Sequence, residues 1–193
     1  MKTYSKLIQE RQINFEVEIL KNLPDSFNCC VDWRVFKGIL YHILSNAIKF
    51  CNNKGRVKLR IVHEECDPLS TQNLLDIPEN VKFAYLKVNI LNTGTGISRH
   101  QLEKIQRFNL GSDKIQNAQN SCGIGISTAK TLCASLKGEF NINSYKDLGT
   151  MVHFTVMVSD IPFKFKRQDI EDLGLRNCSQ ESICNIDDSN SCR

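Results

Sequence analysis

Residues 88–97 read VNILNTGTGI. Its first half alternates apolar and polar side chains, which predicts a half-buried strand, and its two glycines predict a tight turn. Upstream, residues 39–50 read ILYHILSNAIKF and predict a helix whose polar side carries Asn46. Downstream, residues 121–129 read SCGIGISTA and predict a second glycine turn that opens a helix. Backbone amides at such a helix start can face phosphate oxygens, so the third segment is a candidate phosphate-binding turn.

The bulk composition describes one domain of ordinary size with room for a tail. The chain has 193 residues, of which 41% are hydrophobic, enough for a packed core. Its net charge of +4 is scattered along the sequence, whereas nucleic-acid binders gather Lys and Arg on one face. No stretch approaches the roughly 20 apolar residues of a membrane helix, and the N-terminus lacks the apolar run of a signal peptide. These features predict an intracellular protein without a nucleic-acid partner or a membrane segment.

The nine cysteines predict neither a metal site nor a disulfide framework. Their number is odd, no CxxC pair occurs, and the adjacent Cys29 and Cys30 match no common zinc spacing. Reduced thiols are the expected state in an intracellular protein. Cys51 and Cys133 are predicted to be small buried hydrophobes.

The remaining periodic segments complete an α/β domain. Alternating apolar residues predict strands at 12–20, 56–62, 81–91, 139–144 and 150–158. Asp32 predicts the N-cap of the long helix, Ser98 and Gln101 predict a capping box for a short one, and Gly138 ends a helix over 126–136. Helices and strands interleave and finish in hairpin-like neighbours. This order predicts an α/β (α+β) two-layer sandwich, with a mixed, largely antiparallel sheet and helices on one face.

Three regions divide the chain. Residues 1–11 form a lead-in, residues 12–158 form the domain, and residues 159–193 lose the apolar period and predict a polar linker or disordered tail. Within the domain, residues 64–80 and 109–121 are polar or unperiodic and predict loops.

The helix and the two glycine turns resemble the N, G1 and G2 boxes of the histidine-kinase ATP-binding domain. This domain belongs to the superfamily of gyrase, heat-shock chaperones, histidine kinases and MutL. The resemblance extends over roughly residues 12–158 and implies the Bergerat-type ATP-binding fold, with ATP and Mg²⁺ as ligands. The ligand-binding residues that it implies are Asn46, Lys49, Phe50, Asn92, Gly94, Gly96, Ile97, Lys114, Gly123, Ile124, Gly125 and Thr150.

The first box concerns the end of the long helix. Asn46 matches the asparagine that holds Mg²⁺, for which a carboxamide oxygen is a suitable hard ligand. Lys49 resembles the basic residue that meets the phosphates, and Phe50 resembles the aromatic that closes over the nucleotide, although it also fits a core position. His42, one turn before Asn46, stands where the hydrolytic branch has a water-activating glutamate. An imidazole could act as a base or contact the magnesium side, and the missing carboxylate favours the kinase branch.

The second box departs from the family at Asn92. The family has an aspartate there, which accepts a hydrogen bond from the exocyclic amine of adenine. The amide still accepts, but neutral hydrogen bonds contribute about 0.5–1.5 kcal/mol against about 1.5–3 kcal/mol for charged ones. A deficit of roughly 1 kcal/mol weakens affinity about fivefold. The amide also brings a donor, which predicts weaker discrimination between adenine and guanine.

The third box is incomplete. The family pattern has three alternating glycines before a helix, of which Gly123 and Gly125 remain and Ser121 replaces the first. Lys114 in the preceding loop is a candidate phosphate contact, with a solvated lysine as the alternative. Thr150 belongs to the segment that matches in part the closing glycine turn of the family.

The resemblance implies an enzyme, the catalytic domain of a sensor histidine kinase that transfers the γ-phosphoryl group of ATP to a histidine. His42, His63, His100 and His153 match no acceptor pattern. The expected partners are therefore a histidine phosphoacceptor (dimerisation) domain and a receiver domain, in cis or in trans. The expected location is the cytoplasm, including the intracellular part of a membrane-associated sensor.

Two alternatives remain open at this point. One is a degenerate, non-catalytic nucleotide-binding or scaffolding module, suggested by Asn92 and Ser121. The other is a hydrolytic ATPase of the gyrase or chaperone kind, against which the missing carboxylate at position 42 argues.

Overall fold

The computed structural model describes residues 2–22, 24, 27–65, 81–107 and 124–162. The helices in these ranges are α1 (Lys2–Glu10), α2 (Trp33–Lys49), α3 (Arg99–Arg107) and α4 (Ile124–Ser135). The strands are β1 (Asn14–Leu20), β2 (Arg56–Glu65), β3 (Phe83–Asn92), β4 (Phe140–Tyr145) and β5 (Gly149–Ser159). None of the described helices combines the length and the apolar character that a membrane crossing requires.

The five strands form one sheet in the order β1-β2-β3-β5-β4. Strands β1 and β2 run parallel, with Phe15 beside Val57, because α2 carries the chain back to the same end of the sheet between them. All other neighbours are antiparallel. The prediction of a mixed, largely antiparallel sheet is confirmed.

The core lies between the sheet and helices α2 and α4. Strand β3 is central, and its inner residues Ala84, Leu86, Val88 and Ile90 are buried, as the alternation predicts. The helices contribute their apolar sides to the same cluster. The buried residues of α2 are Phe36, Ile39, Ile43, Ala47 and Ile48. Each fully buried aliphatic or aromatic side chain contributes about 1.5–3 kcal/mol to the stability of the fold, so the layer between sheet and helices is the main source of stability. The packing of helices on the sheet confirms the predicted two-layer α/β sandwich.

The outer face of the sheet carries charged side chains. Glu18 on β1 forms ion pairs with Lys58 at 2.9 Å and with Arg60 at 3.6 Å, and Lys87 pairs with Glu64. Exposed ion pairs of this kind contribute about 0–1 kcal/mol. They keep one face of the sheet in water, which agrees with helices on the other face only.

Side chains fix the starts of two helices as the sequence predicts. The Asp32 carboxylate accepts the backbone N–H of Arg34 at 2.9 Å and of Val35 at 3.1 Å. Ser98 and Gln101 form the reciprocal capping box, because the Gln101 side chain accepts the Ser98 N–H and the Ser98 hydroxyl accepts the Gln101 N–H.

Helix α1 was not predicted for residues 1–11. Its nine residues span fewer than three turns, too few for the apolar period to stand out. Tyr4, Leu7 and Ile8 nevertheless pack against the core. The Arg11 guanidinium then donates to the Lys49 carbonyl at 2.9 Å and satisfies the end of α2.

The four cysteines of the described residues are free thiols. Cys51 and Cys133 are buried, which confirms their predicted role in the core. Residues 66–80 and 109–121 of the predicted loops and residues 163–193 of the predicted tail lie outside the described residues. The predicted boundaries at 64 and 159 were early, because residues 64–65 continue β2 and residue 159 ends β5 by pairing with β3.

Candidate functional site

A cavity of roughly 330 Å³ opens between the C-terminal half of α2 and the neighbouring ends of β3 and β5. This volume lies in the usual range for small-molecule sites. Its apolar lining consists of Ile43, Ala47, Phe50, Ile90, Ile97, Ile126, Ile142 and Val152. The polar residues of the lining are Asn46, Asn92, Thr95, Ser98, Gln101, Lys146, Asp147 and Thr150, with Gly96 between them. An apolar slot with a few polar groups suits a flat, partly polar ligand.

Asn92 is the most deeply buried polar group of the cavity. It ends β3, is only 5% exposed, and lines the cavity. Its carboxamide makes no hydrogen bond to any other described residue. Strand pairing sets Asn92 directly beside Thr150 of β5, so the two side chains are neighbours on the inner face. The amide is therefore open to the cavity and free to bond with a ligand there.

The Thr150 hydroxyl is oriented by Ser144. The Ser144 oxygen lies 2.8 Å from the Ile97 N–H, 2.9 Å from the Gly149 carbonyl and 2.7 Å from the Thr150 hydroxyl oxygen. Ser144 has one proton, and a single assignment satisfies all three contacts: it accepts from Ile97, donates to Gly149 and accepts from Thr150. Thr150 therefore donates its hydroxyl proton to Ser144 and presents its oxygen lone pairs, as acceptors, to the cavity.

The turn after β3 is packed between two other backbone segments. Gly96 has φ +62°, and a Cβ atom there would lie 1.9 Å from the Tyr145 carbonyl oxygen. A Cβ atom on Gly94 would lie 2.0 Å from the Phe50 carbonyl oxygen and 2.7 Å from the Asn92 amide nitrogen. Only glycine fits at either position. Gly96 lines the cavity, whereas Gly94 supports its wall from outside.

Two polar side chains of α2 meet a glycine of α4 next to the cavity. A Cβ atom on Gly125 of α4 would lie 3.5 Å from the Asn46 amide nitrogen and 3.6 Å from His42 Nδ1. The structure thus brings together His42, Asn46 and Gly125 from two helices. Asn46 lines the cavity, whereas His42, Ile124 and Gly125 are not among the lining residues.

The two residues that follow along α2 occupy different places. Phe50 is 38% exposed and forms part of the cavity rim, so it is not a core residue. The Lys49 ammonium stands 5.2 Å from the centre of the Phe50 ring, a cation–π arrangement. Lys49 does not line the cavity. The suggested phosphate contact, Lys114, lies outside the described residues, as do Ser121 and Gly123.

The β4–β5 hairpin contributes a wall that the sequence did not reveal. Lys146 and Asp147 line the cavity, and the Asp147 N–H donates to the Thr95 carbonyl at 2.8 Å. Asp147 has φ +62°, a left-handed conformation that glycine adopts most easily. This conformation suits a tight hairpin. No local pattern in the sequence indicates the contact of this hairpin with the turn at Thr95. Ser98 and Gln101 were predicted only as a helix cap.

The described residues around the cavity form neither a preformed metal site nor a reactive thiol. Among the described residues, no three of His, Cys, Asp and Glu are grouped as a metal site. The Cys51 thiol donates to the Thr93 carbonyl at 3.2 Å, and burial raises its pKa. It therefore stays protonated beside the turn and is not a nucleophile. A metal ion at this site would depend on Asn46 together with oxygens supplied by its ligand.

Comparison with known proteins identifies relatives of this chain. The family model described as histidine kinase-, DNA gyrase B-, and HSP90-like ATPase matches residues 32–160. Sensor protein EvgS of Escherichia coli is 29% identical over 139 residues, which are 72% of this chain and 10% of that protein. Hybrid signal transduction histidine kinase B of Dictyostelium discoideum is 29% identical over 171 residues, 88% of this chain and 8% of that protein. The chain thus spans about a tenth of the length of these relatives.

A solved structure has the same fold. The catalytic domain of histidine kinase ThkA superposes with a TM-score of 0.52 and 17% sequence identity, over 80% of this chain and 85% of that domain.

Proposed function

Because this chain belongs to the family of histidine kinase-, DNA gyrase B-, and HSP90-like ATPases, we propose that it is the ATP- and Mg²⁺-binding catalytic domain of a sensor histidine kinase. It would transfer the γ-phosphoryl group of ATP to a histidine on a separate phosphoacceptor domain, from which a receiver domain takes it. The names of its relatives, a sensor protein and a hybrid signal transduction histidine kinase, support this role. Both partner domains would act in cis or in trans.

The observation that carries the proposal is the set of polar groups around an apolar slot. Asn92 lines the cavity beside Thr150, and its amide suits the edge of a base. The apolar lining suits the ring of the base. Asn46 lies against Gly125 near the start of α4, where helix amides and the helix dipole favour phosphate.

Asn46 fits a magnesium ion that is carried mainly by the nucleotide. A single neutral carboxamide is a weak site by itself, but Mg²⁺ is usually held by one or two protein oxygens together with phosphates and water. When bound, the ion neutralises charge on the phosphates. The residues of this chain would do the rest: Asn92 and Thr150 orient the base, and Asn46 and the start of α4 fix the phosphate chain. Phosphoryl transfer depends mostly on such positioning.

We propose transfer rather than hydrolysis because no described carboxylate stands next to Asn46. His42 takes that place on α2, and the one carboxylate among the described lining residues, Asp147, lies on the exposed hairpin. A hydrolytic ATPase would need a base for the attacking water. Steady phosphate release by the isolated chain would support hydrolysis instead.

Calorimetric titration with ATP tests the pocket. Wild type should bind ATP more tightly with Mg²⁺ than with a chelator, and Asn46→Ala should remove this difference. Asn141→Ala is the matched control, because Asn141 is exposed on β4 and its inward-facing neighbour is Ile142. Equal magnesium dependence in wild type and Asn46→Ala would refute the assignment of Asn46.

A second assay tests catalysis. Labelled ATP and an added two-helix acceptor domain should give phosphohistidine in the presence of wild type but not of Asn46→Ala. If ATP binds but no acceptor of this class is labelled, the degenerate binding module is the better description. The neutral Asn92 is the observation that favours this second candidate.

A further inference from the structure

We propose that the base subsite accepts guanine as well as adenine, so that the domain binds both purine nucleoside triphosphates with similar affinity. This inference depends on the proposed function, since it concerns the base of the nucleotide in the same cavity. It rests on the hydrogen-bonding capacity of Asn92 and Thr150.

The Asn92 side chain offers a donor and an acceptor side by side. It is 5% exposed and opens onto the cavity, and its amide makes no hydrogen bond within the described part of the chain. Rotation of the carboxamide by half a turn therefore breaks no contact with a described residue. A carboxylate at this place would offer acceptors only.

Both purines present an edge that this amide can pair with. Adenine has an amino donor at C6 beside the acceptor N1, and guanine has the acceptor O6 beside the donor N1–H. The Asn92 amide pairs with adenine through its oxygen and nitrogen in that order, and with guanine in the reverse order. Each base thus makes two neutral hydrogen bonds with the same side chain, and no charge favours one of them.

The neighbourhood of Asn92 does not restore a preference for adenine. Thr150 stands beside it in the strand register and directs its proton to Ser144, so it offers an acceptor. Guanine carries an additional amino donor at C2 on the same edge, where adenine has only a C–H. The charged residues among the described lining, Lys146 and Asp147, are both exposed on the hairpin.

Competition between nucleotides tests the proposal. We would displace a fluorescent ATP analogue from the full chain with ATP, GTP, ITP and CTP, each with Mg²⁺. In wild type, ATP and GTP should have dissociation constants within about threefold of each other. ITP, which lacks the C2 amine, should bind more weakly than GTP if Thr150 accepts from that amine. CTP should compete poorly, because its single ring fills less of the apolar part of the cavity than a purine does.

Asn92→Leu is the diagnostic variant. Leucine is close to asparagine in size but offers neither a donor nor an acceptor, so ATP and GTP should each lose affinity by about tenfold, and the ratio of their dissociation constants should stay within about threefold. Circular dichroism controls its folding. The ratio in wild type decides the proposal even if this variant does not fold.

The results of these assays distinguish a failure of dual purine recognition from a failure of the proposed function. If wild type binds ATP but GTP competes more than about threefold less well, dual purine recognition is wrong and the proposed function stands. A folded Asn92→Leu variant that loses affinity for only one of the two nucleotides also overturns it. If no purine triphosphate binds, the proposed function fails together with this inference.

Discussion

Replacing Gly96 with alanine should destabilise the fold by about 2–4 kcal/mol. The new Cβ atom would lie 1.9 Å from the Tyr145 carbonyl oxygen, whereas real Cβ atoms essentially never approach within 3.0 Å. The turn and the β4–β5 hairpin would have to separate by about 1.1 Å. Holding a non-glycine residue at φ +62° costs roughly 1–2 kcal/mol, and overpacking costs roughly 1–3 kcal/mol. The lower entropy of the unfolded alanine variant offsets about 0.4–1 kcal/mol.

Gly125→Ala is the matched control from the second glycine segment. Its Cβ atom would make ordinary contacts, 3.5 Å to Asn46 and 3.6 Å to His42. Alanine also suits a helix better than glycine, by about 0.5–1 kcal/mol. This variant should therefore be as stable as wild type or slightly more stable.

Urea denaturation followed by tryptophan fluorescence measures both variants. Trp33 is the single tryptophan of the chain, and its ring centre lies 5.6 Å from that of the buried Phe36, so its emission reports unfolding of the core. The dependence on urea should keep the same slope in all three proteins, since the surface exposed on unfolding is unchanged. A loss below about 1 kcal/mol for Gly96→Ala, or an equal loss for Gly125→Ala, would refute the reasoning.

Two further substitutions probe a helix start and a buried thiol. Asp32→Ala should lower the unfolding free energy by about 1 kcal/mol, because two backbone N–H groups lose their acceptor. Asp32→Asn should retain most of the stability, because its side-chain oxygen can still cap the helix. Equal losses for the two variants in thermal melts would contradict the capping role. Burial raises the pKa of the Cys133 thiol from 9.0 to about 12, so both states carry a neutral thiol below pH 9. Between pH 9 and 12 the unfolded chain loses its proton first, and the unfolding free energy falls as pH rises. Cys133→Ala should make the unfolding free energy fall less steeply above pH 9, as measured by urea denaturation on both sides of that pH. An identical pH dependence in the variant and in wild type would show that the thiol does not contribute.

The elements with a strong period were predictable because each is specified by neighbours in sequence. The alternation at 81–91 predicted β3, and the apolar spacing after Asp32 predicted α2. The capping box at Ser98 and Gln101 was equally local. Helix α1 was missed because nine residues give too few turns to separate a helical period from chance.

The site was only partly predictable, since its geometry depends on contacts between distant segments. Asn46 and Asn92 could be named from local motifs, whereas the lining contributed by Lys146 and Asp147 could not. Their place follows from the hydrogen bond of Asp147 to Thr95, which joins residues more than fifty positions apart. No local pattern encodes such a contact.

The order of helices and strands, the apolar faces that form the core and the two glycine segments can be read from the sequence. These properties are local, because side-chain period and backbone freedom are set by a few adjacent residues. The tertiary structure was needed to show that the Asn92 amide opens onto the cavity and that Thr150 lies beside it with its proton directed to Ser144. Burial and hydrogen bonding depend on strand register and on packing between elements, so the chemistry of the cavity exists only once the whole sheet has formed.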